Sequence, residues 1–394
     1  MNGNFDPDTK SDPDTSFDFD TMPDRRDGAS SKWAKYGDRD IIPLWVADMD
    51  FRTAPCVIDM LSKRVQHGIF GYTQAPRELP GVITHALERD FDWRIEPDWL
   101  VWMPSLVVGL NVVSRAFANE GEEVMTAVPI YPPFLSAPRN AGCVTLTAPL
   151  GQRDGRWVWD FDALEQKVTN KTRTLLLCSP HNPTGRVWTE PELQELVAFC
   201  DRHGLVLVSD EIHSGLVLDR DKKHIPVASL GTAAERTVTL LSASKTFNLP
   251  GLGCAFAVVS NEKLRARIEK TMRGIVHHIG ALGFFATMAA YRDGQAWQHA
   301  LLDYLRDNRD LVETRLAAMP GLRTWHVEAT YLAWIDVREL PVENPVGFFE
   351  DAGVGLYDGT LFDAPGFLRL NFACPRSLLV KALDRMETAI RKLG

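Results

Sequence analysis

The sequence predicts an α/β protein with a mostly parallel central sheet, helices on both of its faces, and a smaller α+β domain at the C-terminal end. Three observations predict it. Short apolar runs at 174–178, 205–208 and 238–241 read as buried strands. An amphipathic helix separates the first two, and strand–helix–strand at this spacing is a βαβ unit, whose strands run parallel. From about residue 295 the pattern changes: helical periodicity over 295–320 and 376–393 flanks a strand-like Leu-Ala-Trp-Ile-Asp at 332–336.

Each element has its local cause. The run Thr-Leu-Leu-Leu-Cys at 174–178 ends in Ser-Pro-His-Asn-Pro-Thr-Gly, 179–185, a cluster of turn formers. Thr189 and Glu192 form a capping box, Leu193, Leu196, Val197 and Cys200 keep helical spacing, and Gly204 stops the helix. The next strand leads into Ser209-Asp210-Glu211, and the third into Ser242-Ala-Ser-Lys245. Residues 1–25 carry Asp6, Asp8, Asp12, Asp14, Asp18, Asp20 and Asp24 among Pro, Ser and Thr. They are expected to form a mobile, solvated segment. Residues 26–60 are expected to be an arm serving the small domain and the active site, 61–290 the large domain and 291–394 the small one.

Bulk properties exclude several classes. A chain of 394 residues with 45% hydrophobic and 24% charged residues buries a sizeable core. A net charge of -9 without a basic cluster argues against nucleic acid. No apolar run approaches the roughly 20 residues that span a bilayer, and the acidic start lacks the order of a signal peptide. A cytoplasmic location is therefore expected. Cys56, Cys143, Cys178, Cys200, Cys254 and Cys374 include no C-x-x-C pair, so neither a metal site nor a disulfide framework is indicated.

Asn182, Asp210 and Lys245 all follow the C-terminal ends of predicted strands, where open α/β sheets bind ligands. Taken singly, each has an ordinary reading: Asn182 as a turn residue, Asp210 as a helix cap, Lys245 as a solvated surface group. Together they match what pyridoxal 5′-phosphate (PLP) requires. That cofactor needs a lysine amine to link to, a carboxylate to keep its pyridine nitrogen protonated, a donor near its phenolic oxygen, an aromatic partner, and hydroxyls and amides for its phosphate. A buried carboxylate is costly without a cation, and a pyridinium supplies one. Asp48 and Asp50, inside the apolar run Trp45–Phe51, likewise need partners.

The motifs at 179–185, 209–213 (Ser-Asp-Glu-Ile-His) and 242–245, with Arg-Leu-Asn-Phe-Ala-Cys-Pro-Arg at 369–376, resemble those of fold-type I PLP enzymes of the class I/II aminotransferase lineage. The likeness runs over residues 30 to 392. By that resemblance Lys245 is the Schiff-base lysine and the base, Asp210 pairs with the pyridine nitrogen, and Asn182 approaches the phenolic oxygen and the substrate. Tyr131 stacks on the ring, Ser242, Ser244 and the amides of Val107 and Val108 hold the phosphate, and His213 lies among the cofactor-binding residues. Arg369 forks onto the substrate α-carboxylate, a bidentate task suited to guanidinium.

The segments Trp45-Val-Ala-Asp-Met-Asp-Phe51, Gly68-Ile-Phe-Gly-Tyr-Thr73 and Lys245-Thr-Phe-Asn-Leu249 narrow the resemblance to the MalY/PatB type of cystathionine β-lyase. It implies a homodimer in which Tyr72 reaches the neighbouring subunit's cofactor, with Ala47 and Asp48 beside the substrate. His213, where many aminotransferases have tyrosine, and Gly253, where many have a phosphate-gripping arginine, point the same way. The implied reaction is α,β-elimination from L-cystathionine or another cysteine S-conjugate to thiol, pyruvate and ammonia. Tyr131 and Tyr72 are candidates to assist the leaving group. The alternatives are an aminotransferase and, further off, a regulatory protein-binding role.

Overall fold

The computed structural model describes residues 17–26 and 29–393. Its large sheet has seven strands in the order Leu100–Met103, Ala255–Val258, Thr237–Leu241, Val206–Asp210, Thr172–Cys178, Glu123–Val128, Val144–Pro149. The last five of these run parallel, whereas Ala255–Val258 is antiparallel to both of its neighbours. The three predicted strands therefore lie side by side at the centre. Asp210 is the last strand residue and not the first loop residue, because it still pairs with Cys178 on one side and Leu240 on the other.

The helix between the first two strands runs Glu190–His203, with both halves of the Thr189/Glu192 capping box formed and Gly204 left-handed at φ 65°. Its buried Leu193, Leu196 and Phe199 cover one face of the sheet. The helix Leu106–Phe117 covers the other, through Leu110 and Val113 against Val208, Val238 and Leu240. Gly109 permits that approach: a Cβ there would stand 2.7 Å from Met103 Sδ and 3.3 Å from Leu240 Cδ1. The helix N-terminus is thereby set at the carboxyl end of the strands.

The smaller sheet is antiparallel, in the order Arg323–Thr324, Leu332–Asp336, Phe367–Asn371, Tyr357–Asp358. Helices Gln295–Ala317 and Arg376–Arg391 accompany it. Thr330 enters this unit at φ 76°, costly for a β-branched residue, and its Oγ1 accepts from Leu332 N at 3.2 Å.

Residues 17–25 depart from the expected mobile segment. Phe19 is buried against Phe51, Trp297 and Tyr304, with ring centroids 5.2–5.7 Å apart. Tyr304 Oη donates to Asp20 at 2.5 Å. One aromatic anchor in an otherwise polar stretch outweighs the composition that suggested solvation. Asp6, Asp8, Asp12 and Asp14 lie outside the described residues. Among the described residues, no helix is long and apolar enough to cross a membrane.

Candidate active site

The three central strands deliver Asn182, Asp210 and Lys245 to one cavity of about 250 Å³ at their carboxyl ends. Arg369 comes to it from the smaller sheet, and Val46 and Ala47 from the arm. Tyr131, His213, Ser242, Ser244 and Val107 also line it.

Asp210 is buried, and its Oδ1 accepts the Ile212 amide at 3.1 Å. It has no ion-pair partner among the described residues, and burial pushes its carboxyl up to about 7. Lys245 Nζ donates to the Ala47 carbonyl at 2.5 Å, and burial, helped by nearby Arg369, brings its amine down to about 8. Two groups that ordinarily titrate far apart are thus moved toward neutrality.

Arg369 is 1% exposed and likewise makes no ion pair. Its Nη1 donates to Asn182 Oδ1 at 2.9 Å and its Nη2 to Trp45 O at 3.1 Å, while its buried Nε has no partner. The guanidinium lies 4.8 Å from the Tyr357 ring centroid and 4.9 Å from that of Phe362. Burial pulls it down to about 10. A buried guanidinium without a counter-ion suits an incoming carboxylate.

At the N-terminus of the helix Leu106–Phe117, Ser105 caps through its Oγ, which accepts from Val108 N at 3.3 Å. Among the described residues the amides of Leu106 and Val107 meet no acceptor, as the first N–H groups of a helix do. Ser242 Oγ donates to Cys254 O at 2.7 Å and accepts from Ser244 N at 3.1 Å. His213 has its ring edge-on to Tyr331 and its Nδ1 without a partner among the described residues; burial, with the nearby charges of Lys245 and Arg369, holds it well below its usual range. Burial raises the Tyr131 phenol.

Three expected residues stand elsewhere. The Val108 amide is used by the Ser105 cap. Asp48 points its carboxylate at Arg25 (2.8 Å) and does not line the cavity. Tyr72 is fully exposed, on a loop away from this subunit's cavity. The sequence reading missed Ser105 and Tyr357, both cavity residues. Ser105 has the signal of a helix cap, a serine directly before an apolar run. Tyr357 has none, being one tyrosine in a two-residue strand whose cross-strand partner is Arg369.

The chain belongs to the aminotransferase class I and II family, which it matches over residues 39–386. It is 33% identical to cystathionine beta-lyase PatB of Bacillus subtilis over 387 residues, covering 94% of this chain and 99% of that one. The crystal structure of OvoB is 46% identical and superimposes with a TM-score of 0.93, covering 95% of this chain and 99% of that one. The PLP-bound C–S lyase of Staphylococcus hominis is 30% identical with a TM-score of 0.89, covering 96% and 99%. These likenesses run nearly end to end.

Proposed function

We propose that the protein is a PLP-dependent carbon–sulfur β-lyase that converts L-cystathionine or a related cysteine S-conjugate to thiol, pyruvate and ammonia. The observation that carries the reading is one cavity holding a buried carboxylate, a half-buried lysine and a buried guanidinium, each without an ion-pair partner among the described residues. Bound PLP supplies a protonated ring that absorbs the electron pair left at the substrate Cα.

The residues present fit that cofactor. Asp210 loses its burial penalty when it faces a pyridinium, and the same contact keeps that nitrogen protonated. Ser105, Ser242 and Ser244 with the Leu106 and Val107 amides suit a phosphate, and Tyr131 suits one face of the ring. Lys245 would hold the cofactor when substrate is absent; a free Lys245 amine would take the Cα proton, which requires the neutral form that its desolvated setting favours. Arg369 clamps the α-carboxylate, with Asn182 fixing the orientation of its fork.

The choice of elimination over transamination is supported by similarity to PatB and to the C–S lyase, together with His213 and Gly253. A homodimer belongs to the same reading. Ile69, Phe70, Tyr72 and Ile275 are large apolar side chains standing in solvent, which suits coverage by a second copy. Tyr72 would then enter the neighbouring subunit's site. Six free thiols, five of them buried, fit a cytoplasmic location.

The test is purified protein with L-cystathionine and no added 2-oxo acid. Pyruvate and ammonia in equal amounts over many turnovers are expected. A requirement for a 2-oxo acid, with cofactor accumulating as pyridoxamine phosphate, would replace the lyase by an aminotransferase.

A further inference from the structure

Ala47, whose carbonyl receives the Lys245 amine, belongs to an extended segment that joins neither sheet. Apart from one backbone bond, Asp50 N to Ala373 O at 3.0 Å, side chains hold it. Asn371 Nδ2 donates to Val46 O at 2.6 Å and to Asp48 O at 2.9 Å. Asn248 Nδ2 donates to Met49 O at 3.1 Å and to Phe51 O at 2.9 Å. Arg25 binds the same stretch from the N-terminal side: Nη2 to Asp48 Oδ2 at 2.8 Å, Nη1 to Asp50 Oδ1 at 2.7 Å and to Met49 O at 2.9 Å.

The two carboxylates differ in how much they depend on Arg25. Asp50 is fully buried and is also held by Lys32 Nζ at 2.7 Å and Trp33 Nε1 at 3.0 Å. The Asp48 carboxylate has no other cation partner among the described residues; Lys32 Nζ reaches only its backbone carbonyl, at 2.8 Å. Arg369, Asp210 and His213 line the cavity with Lys245, and the Asp48 carboxylate, one residue from the Ala47 carbonyl that holds the amine, acts on it electrostatically from outside the cavity. Asp48 is therefore a negative charge within electrostatic reach of the working amine, and Arg25 is what balances it.

We propose that Arg25 is a positioning residue for Lys245: it holds residues 48–50 so that the Ala47 carbonyl receives the free lysine amine, and it neutralises the Asp48 carboxylate next along the chain from that carbonyl. The inference rests on the role proposed for Lys245. A free amine that donates one N–H to a fixed carbonyl cannot rotate away, and an amine with no unbalanced carboxylate beside it sheds its proton more readily. Lysine in such a site is ready both to take a proton and to rejoin the cofactor.

The experiment reads the amine directly in cofactor-free protein. Acetylation of Lys245 is followed by mass spectrometry across pH in wild type, Arg25→Ala, Arg25→Lys, Asp48→Asn and the Arg25→Ala/Asp48→Asn double variant. Arg26→Ala is the control, since Arg26 lies over the Trp33 ring and forms no hydrogen bond or ion pair with Asp48 among the described residues. Arg25→Ala is expected to raise the midpoint of labelling by about half a unit to one unit, because Asp48 then favours the ammonium unopposed. Asp48→Asn lowers it, Arg25→Lys restores it, Arg26→Ala leaves it in place, and the Arg25→Ala shift vanishes in the Asp48→Asn background.

An unchanged midpoint in Arg25→Ala overturns the proposal, as does a shift that persists without Asp48. If Arg25→Ala does not fold, Asp48→Asn alone decides: no downward shift there also overturns it. In the cofactor-loaded enzyme, Arg25→Ala is expected to lower kcat about 3- to 10-fold with KM little changed, since Arg369 is untouched. Because the labelling needs no turnover, it stands whether the reaction proves to be elimination or transamination.

Discussion

The two sides of Lys245 are built by different means. On one side the parallel strands Thr172–Cys178, Val206–Asp210 and Thr237–Leu241 end together, and their ladders fix Asn182, Asp210 and Lys245 to the register of the sheet. On the other, an extended arm without a ladder is held by one backbone bond, Asp50 N to Ala373 O, and mostly by side chains, the amides of Asn248 and Asn371 with Arg25 and Lys32. The first side is rigid because backbone pairing and core packing over-determine it. The second can be unlocked one side chain at a time. Changes at the strand ends should therefore remove chemistry outright, while changes in the arm should degrade it by degrees.

The largest effect is expected at Asp210. Asp210→Asn should retain cofactor yet lose about 10²- to 10³-fold in kcat, since an amide does not hold the pyridine nitrogen protonated. Steady-state kinetics with a cofactor stoichiometry check it, and near-normal turnover would reduce Asp210 to a structural strand end. The same substitution has a second, opposite consequence. Burial raises the Asp210 carboxyl to about 7 in the cofactor-free protein. Folding then favours proton uptake between the ordinary carboxylate range and about pH 7, so this group's contribution to stability falls as pH rises through that window. Cofactor-free Asp210→Asn lacks that loss. Its melting temperature should match wild type near about pH 4 and exceed it near about pH 8, above the raised value.

Arg369→Lys comes next. Lysine keeps the charge but not the fork, so the bonds to Asn182 and Trp45 and the stacking between Tyr357 and Phe362 cannot all be reproduced. A rise in KM of about 10- to 100-fold is expected, with a smaller fall in kcat, because this contact serves substrate before and during reaction alike. A change confined to kcat would move Arg369 from substrate binding to the reacting centre.

These expectations follow the line between what was legible in the sequence and what was not. The strand-end residues were legible because apolar runs of strand length stop at turn formers, and the chain order Asn182, Asp210, Lys245 becomes spatial order once the strands are parallel. Arg369 came by motif resemblance alone, since nothing in local periodicity says that an arginine inside an apolar strand turns toward a distant cavity. The partners of Asp48 and Asp50 were anticipated as a need but not as residues. Arg25, Lys32 and Trp33 meet them across a fold-back that has no periodic signal. Tyr357 went unseen because its place is set by register against Arg369. The docking of Phe19 went unseen because one anchoring ring does not alter the composition of its segment.

Phe19 supplies the smallest expected effect and sets the limit of the comparison. A buried phenylalanine cut to alanine in a core costs about 3–5 kcal/mol, and Leu240→Ala in the central strand should approach the usual core loss of about 2–5 kcal/mol in global stability. Phe19 is as buried as many core residues, yet it anchors a terminal segment that can detach while both sheets stay folded. Detachment caps the cost at the free energy of docking, so the loss appears as local opening and not as a large fall in melting temperature. Phe19→Ala should melt within about 2 °C of wild type, a shift small on the scale of single-site stability changes. Amide exchange and protease cleavage in residues 17–26 should rise, and kcat should fall no further than in Arg25→Ala, since Asn248 and Asn371 still hold residues 46–51. A melting loss as large as that of Leu240→Ala would mean that the arm folds cooperatively with the sheets and that the two sides of Lys245 form one structural unit.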